Sequence, residues 1–461
     1  MKEPGEILLV ACYELGHQPL GLAWPRAFLE RAGYRPAVMD LSVEPFDEDK
    51  VGRARLVAIS VPMHTALRLG VLAGERIRRT NPGCRIAYFG LYASLNHAYL
   101  AERGADAVLG GEAEAGLVEL ARAMDAGRGP TTWSTATPAP RLERLPFPVP
   151  DRTGLPALDR YAHVDRGTGR PELAGYVEAT RGCLHLCRHC PIPPVYNGRF
   201  FAVPAEVVLA DVRQQVEAGA RHVTFGDPDF LNGPTHALRV ARLLHAEFPT
   251  VTFDFTAKIE HLLRHRRHLS EFGRLGCLYI VSAAESLSDT VLEHLAKGHT
   301  RRDIEAALRA TREAGIPLRP TWVPFTPWTT VGDYEELLDF VEAEVLVDHV
   351  DPVQYSLRLL LPPGSLLLQH PAMRPHLGAL EQETLTYRWT HPDPRMDSLQ
   401  AAVADVVAAA AAEAGEDAGR TFDRVRRRAD EAAGRPAHAS LADRLEPTRA
   451  RPPRLTEAWF C

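Results

Sequence analysis

Residues 181–200 read RGCLHLCRHCPIPPVYNGRF, and the first ten of them decide how the chain is interpreted. Cys183, Cys187 and Cys190 stand in C-x3-C-x2-C spacing, with His185 and His189 interleaved. A chain of 461 residues with seven cysteines places three of them within eight positions. Loops carry function more often than packing, so the spacing is read first as chemistry. Three thiolates from one tight loop can ligate three corners of a cubic iron–sulfur cluster and leave the fourth iron open. Zinc competes, because structural zinc accepts Cys3His sets. Such sites usually draw paired ligands from separate segments, and neither a distant C-x2-C nor a distant H-x3-H partner is expected. The cluster reading is therefore preferred, and the two histidines read as loop residues shielding it.

The remaining cysteines, the charge and the length point to a reduced, soluble chain. Cys12, Cys84 and Cys277 lie in or beside apolar strand-like runs and read as core residues. An odd cysteine count in a large chain argues against a disulfide framework. The apolar run "ILLVA" is too short to span a membrane and no small-residue cleavage site follows it, so a cytoplasmic location with no membrane partner is expected. Net charge is −6, with no Lys/Arg block, which sets nucleic acid aside as a partner and leaves a small-molecule substrate.

Around the cysteine loop the pattern is α/β. Upstream of it "GYVEAT" reads as a first strand, followed downstream by "HVTFGD", "VTFDFTA", "LYIVSAA", "LRPTWVPF" and "VDPVQYSL", with helices between. Six strand–helix units over 173–390 predict a partial β/α barrel with its chemistry at the C-terminal strand ends. Residues 1–125 also alternate, from "EILLVA" to a helix over 113–124, and predict a doubly wound parallel sheet. Gly21, Gly90, Gly110 and Gly111 fall at strand ends or helix starts, where such sheets bind ligands. Residues 126–172 are rich in Pro, Thr and Gly and read as an extended surface linker. Residues 391–461 are Ala-rich and helical, then end in a Pro/Arg-rich tail, "RLTEAWFC".

The loop and its surroundings resemble the radical S-adenosylmethionine (radical SAM) superfamily. The lead-in Arg181-Gly182-Cys183 is present, "HVTFGDPDF" is similar to the superfamily's second-strand motif, and "AAESLSDTVLEHLAKGHT" resembles a pattern common in members with an N-terminal cobalamin-type domain. "QPLGLAWPRAFLERAGYRPAVMDL" and "GADAVLGGEAEAGLVEL" resemble segments of that N-terminal domain. The resemblance implies a [4Fe-4S] cluster on Cys183, Cys187 and Cys190, with SAM chelating the open iron and yielding a 5′-deoxyadenosyl radical on reduction. It implies that Gly226, Asp227 and Pro228 meet the SAM amino group, and that Glu285 and Ser286 lie near its ribose or methionyl part. Glu285 also has a simpler reading, as a cap for the next helix. The stretch after the fifth strand departs from the family, since Pro324, Thr326 and Pro327 replace expected glycines. An electron donor such as flavodoxin or ferredoxin is implied as partner.

Cobalamin is a further candidate cofactor, but D-x-H-x-x-G is absent and His17, in "YELGHQPLG", does not match that spacing. Either cobalamin binds without a histidine on cobalt, or the domain is a relic that holds none. The terminal Cys461 resembles the tail of the CUAEP/CCAEP-tail radical SAM proteins. It is read as a soft-ligand arm and candidate catalytic residue. The expected activity is radical SAM alkyl or methyl transfer in specialised biosynthesis. Alternatives are transfer of the SAM 3-amino-3-carboxypropyl group to a thiophilic acceptor such as arsenite, or a zinc- or cobalamin-binding sensor.

Overall fold

The computed structural model describes residues 1–128, 140–167, 169–413 and 415–457, so Cys461 lies outside the described residues. The N-terminal alternation yields β1 (Ile7–Ala11), β2 (Ala37–Asp40), β3 (Leu56–Ser60), β4 (Arg85–Phe89) and β5 (Ala107–Leu109). They pair in parallel in the order β2-β1-β3-β4-β5. Both faces are covered, which is why the strands are apolar throughout rather than alternating. Ile7, Leu9 and Ala11 enter one core while Leu8, Val10 and Cys12 enter the other. The sheet is doubly wound, with its topological switch point between β1 and β3.

The second sheet contains β6 (His163–Asp165), β7 (Glu172–Val177), β10 (His222–Phe225), β11 (Thr252–Thr256), β12 (Cys277–Glu285) and β13 (Leu318–Trp322). β7, β10, β11, β12 and β13 run parallel in that order. β6 pairs antiparallel with the outer edge of β7, and β16 (Arg454–Leu455) adds beyond β6. A hairpin of β8 (Thr180–Gly182) and β9 (Phe200–Ala202) flanks the cysteine loop. A second hairpin, β14 (Leu377–Glu381) with β15 (Thr386–Trp389), precedes the C-terminal helices.

The half-barrel is as expected except at its sixth unit. "VDPVQYSL" forms a 3-10 turn over Pro352–Ser356, and one parallel bridge, Phe325 to Arg358, marks the sixth strand's position. Pro352 cannot donate to a ladder. The Gln354 side chain instead accepts the Trp322 N–H at 2.9 Å. The helices Pro394–Ala412 and Ala418–Ala433 follow, burying Val403, Phe422 and Val425.

The described part of the linker is not draped over the surface. Leu145 and Phe147 are buried in the same apolar core as Trp24 and Val177, and Leu158 is buried as well. Arg152 bridges the two domains, pairing with Asp211 at 2.6 Å and donating to the Gln18 side chain and the Tyr176 carbonyl. Apolar residues between prolines gain more by burial than by exposure, and composition alone did not show it.

Candidate functional site

The cysteine loop leaves β8 through Gly182, whose φ of +78° and crowding suit glycine alone; an added Cβ would lie 2.5 Å from the Arg199 carbonyl. Cys183 and Cys187 are buried. Burial pushes the Cys183 thiol up to about 11 and the Cys190 thiol up to about 12. Thiols held neutral in this way become ligands only beside a strong positive charge, which is what a cluster's irons supply. A single zinc fits less well. Structural zinc is closed by four protein donors, and the loop's two histidines turn to other partners, His185 to Asp229 and His189 to Glu285. The donor set therefore fits a cluster.

The loop is fixed from several directions. Arg188 donates from its backbone to Leu295 and from its guanidinium to the Glu293 and His294 carbonyls. Asn232 accepts the Leu184 N–H at 3.2 Å. His189 Nε2 lies 3.1 Å from Glu285 Oε1, which also takes the Lys297 ammonium at 3.2 Å. Glu285 sits at a register shift in the β12–β13 pairing, with φ +67°. This bulge turns its carboxylate toward the loop rather than onto the following helix. Burial would raise that carboxyl, but Lys297 and then His189 outweigh it and hold it below the usual carboxylate range. Lys297 in turn feels Cys187 and Cys190, so a buried cation sits beside the would-be thiolates.

Arg181 joins this loop to the N-terminal domain. Its guanidinium meets Glu114 at 2.6 Å, Glu112 at 3.0 Å and Glu178 at 3.3 Å, and lies over Trp24 and Phe147. Burial disfavours its charge, but Glu114, Glu112 and Glu178 together hold it firmly protonated. Tyr196, beyond the last cysteine, donates to Glu112 as well.

A cavity of about 280 Å³ opens between the strand ends of the two domains. Glu14, Gly21, Glu178, Arg181, Gly226 and Pro228 are among its walls. Burial pushes Glu178 up to about 8 and Glu14 up to about 7, so both carboxyls exchange protons near neutrality. Gly226 has no room for a side chain, since an added Cβ would lie 2.0 Å from the Tyr176 hydroxyl. Asp227, between two cavity residues, turns inward instead: it accepts the Ala179 N–H and the Thr180 hydroxyl at the start of β8. Ser286 accepts the Ser288 N–H at 3.1 Å. Among the described residues no histidine lines the cavity. His17 stacks on Tyr176 at 4.4 Å, and burial lowers it to about 4.

Sequence reading did not anticipate Arg181's partners, the Glu178 and Glu14 carboxyls, or the group formed by His185, Asp229, Lys258 and His261. The H-x3-H spacing of His261 and His265 was an available signal for the last.

Comparison with known proteins accords with this geometry. Residues 177–341 match the Radical SAM superfamily. A ribosomal protein uS12 methylthiotransferase from Bacteroides fragilis is 27% identical over 207 residues, covering 42% of this chain and 46% of that protein. A tRNA-2-methylthio-N(6)-dimethylallyladenosine synthase from Desulfosudis oleivorans is 28% identical over 216 residues, covering 45% and 46%. The chain thus spans less than half the length of these curated relatives. Among solved structures, the radical SAM methyltransferase TsrM from Kitasatospora setae, with cobalamin and a [4Fe-4S] cluster bound, superposes with a TM-score of 0.59 at 17% identity, covering 74% of this chain and 73% of that one. The cobalamin-dependent radical enzyme OxsB, with aqua-cobalamin and SAM bound, gives 0.64 at 14% identity, covering 90% and 70%. These two likenesses show the fold. Among the described residues no helix is long and apolar enough to cross a membrane.

Proposed function

We propose that this radical SAM protein, with its N-terminal domain of the cobalamin-binding type, is a transferase. It would move an alkyl or methyl group onto a small molecule held in the interdomain cavity. The observation that carries the reading is the junction itself. One loop presents three thiols, two of them buried, beside the Lys297 ammonium, and the same loop is bolted by Arg181 to the domain that forms the cavity's other wall. Cys183, Cys187 and Cys190 would hold a [4Fe-4S] cluster, which would supply the electron for reductive cleavage of the SAM sulfonium, with a flavodoxin or ferredoxin as the proposed donor.

The chain's own residues bind, orient and move protons. Gly226 and Pro228 form the wall where SAM would lie, while Asp227 fixes the start of β8 and with it the height of Cys183. Glu285 and Lys297 hold His189 and so the second half of the loop. Glu178 and Glu14 are placed to give and take protons in the cavity. Gly21, in the first turn of the helix after β1, and Gly90, at the end of β4, suit a cobalamin approaching the backbone without a protein imidazole on cobalt.

A second reading rests on the tail. β16 anchors residues 454–455, Thr456 pairs with His163, and Glu457 accepts from Tyr13 at 3.0 Å while packing against Gly16. Glu14 and Leu15 of that same loop line the cavity. Cys461 lies outside the described residues; the four residues after Glu457 can extend at most ~14 Å, and the reading is that they carry its thiol to the cavity. A soft thiol there would hold a thiophilic acceptor such as arsenite for transfer of the 3-amino-3-carboxypropyl group.

Product analysis separates the readings. The reduced, cluster-loaded enzyme is incubated with SAM, with and without arsenite, and its nucleosides are identified by mass spectrometry. Radical cleavage to the adenosyl group gives 5′-deoxyadenosine, donation of the methyl group leaves S-adenosylhomocysteine, and loss of the aminocarboxypropyl group gives 5′-methylthioadenosine. None of the three forming under reducing conditions would overturn both.

A further inference from the structure

Beside the cysteine loop, three side chains from separate segments converge. His185 comes from the loop, Asp229 from the turn after β10, and His261 from the short helix Ile259–Arg264 after β11. His185 Nε2 lies 3.5 Å from Asp229 Oδ2 and 3.5 Å from His261 Nδ1. His261 Nδ1 lies 2.8 Å from the same Asp229 oxygen. Among the described residues, no other three His, Cys, Asp or Glu donor atoms are gathered within 4.8 Å. An ion bound at about 2.1 Å sets its donors about 3.0 Å apart at right angles and about 3.4 Å apart at the tetrahedral angle. The observed separations lie close to those values. Asp229 Oδ1 is taken by the Leu231 N–H, which leaves Oδ2 turned to the two imidazoles, with a long contact of 3.3 Å from the Lys258 N–H. Asp229 and His261 are buried, while His185 keeps one side open.

We propose that His185, Asp229 and His261 bind one divalent cation of intermediate softness, such as Zn²⁺, Fe²⁺ or Co²⁺, at a site separate from the cluster. Two imidazoles and a carboxylate suit these ions better than Ca²⁺ or a thiophilic centre. Three protein donors leave coordination positions free, as sites that take up a substrate group do. The free positions lie on the open side of His185, where a lone-pair or anionic group of a small molecule would complete the shell.

The neighbours make the site switchable. Lys258 Nζ lies 3.1 Å from His185 Nδ1, and Glu260 Oε2 lies 3.8 Å from the same nitrogen. An ammonium donating to Nδ1 keeps the imidazole proton on Nε2, facing Asp229. Metal binding at Nε2 needs that proton on Nδ1, which Lys258 opposes, while Glu260, too far at 3.8 Å for a hydrogen bond, favours the ion through its negative charge.

The test is zinc binding to the full chain with its cluster already loaded, read by calorimetry and zinc-edge X-ray absorption. The expected result is one zinc per chain with nitrogen and oxygen neighbours only. His261→Ala and Asp229→Asn should weaken binding at least a hundredfold, with the cluster's visible absorption unchanged. Lys258→Met should tighten it at least tenfold. Substoichiometric zinc, sulfur in its shell, or affinity unchanged in His261→Ala would overturn the proposal. If Asp229→Asn fails to fold, the wild-type shell and the Lys258→Met arm still decide, and a Lys258→Met affinity no tighter than wild type counts against it.

Discussion

Replacing Arg181 by Met tests how the cysteine loop is tied to the N-terminal domain. The guanidinium is 14% exposed, and its partners Glu112 and Glu114 are 0% and 5% exposed. Removing one member of a buried ion pair leaves the other desolvated and unpaired, at a cost of about 3–5 kcal/mol. Met preserves much of the contact with Trp24 and Phe147, so the loss is mainly electrostatic. At about 1.4 kcal/mol per tenfold, the junction should open about 10²- to 4 × 10³-fold more often. Hydrogen exchange measured by mass spectrometry on peptides covering 110–118 and 178–184 reads this directly. Burial already raises the Glu112 carboxyl, so the defect should shrink as pH falls and the carboxyls protonate. Glu112→Gln should partly rescue the Met variant, with a coupling of at least about 1 kcal/mol. Exchange within threefold of wild type at both stretches, or no rescue, would refute the junction as described.

Three other outcomes are expected. Glu178, Glu14 and Asp227 have folded pKa values raised to about 8, about 7 and about 7, so the folded chain binds protons that the unfolded chain releases. Their contribution is full below the unfolded carboxyl range and is lost as pH rises through about 7 to 8. Melting temperature should therefore decline across that window, and Glu178→Gln should flatten the decline; an unchanged profile would count against a protonated Glu178. Cys461→Ser should leave the cluster and uncoupled SAM cleavage intact yet lower product formation at least tenfold, because oxygen substitutes poorly at a soft centre. Equal product yield would remove the tail from the chemistry. Any cobalamin bound should show, in its Co(II) form, no nitrogen superhyperfine splitting from a protein imidazole in electron paramagnetic resonance, and such splitting would contradict the His-free cavity.

What could be read in the sequence was local. The three cysteines lie within eight positions, so their chemistry is carried by spacing alone. The two α/β units were likewise legible, because burial of both sheet faces writes apolar runs into the strands. Contacts across long separations were not. Arg181 meets Glu112 across 69 positions and His185 meets His261 across 76, and no periodicity links such pairs. Glu285 fits a helix-cap pattern in sequence, yet a bulge in β12 turns it to Lys297 and His189. The buried linker escaped notice because prolines signal extension, not whether the residues between them are covered. The sixth strand escaped because a glutamine side chain takes over one of its backbone roles.

The central claim is that Cys183, Cys187 and Cys190 hold a [4Fe-4S] cluster on which SAM binds. The most direct measurement is electron paramagnetic resonance of the dithionite-reduced, anaerobically reconstituted protein with and without SAM, alongside iron and sulfide analysis. The account predicts about four irons and four sulfides per chain, a reduced-cluster signal whose g values shift on adding SAM, and loss of iron, sulfide and signal together when all three cysteines become Ala. A full cluster retained in that triple variant, or a signal indifferent to SAM, would contradict it.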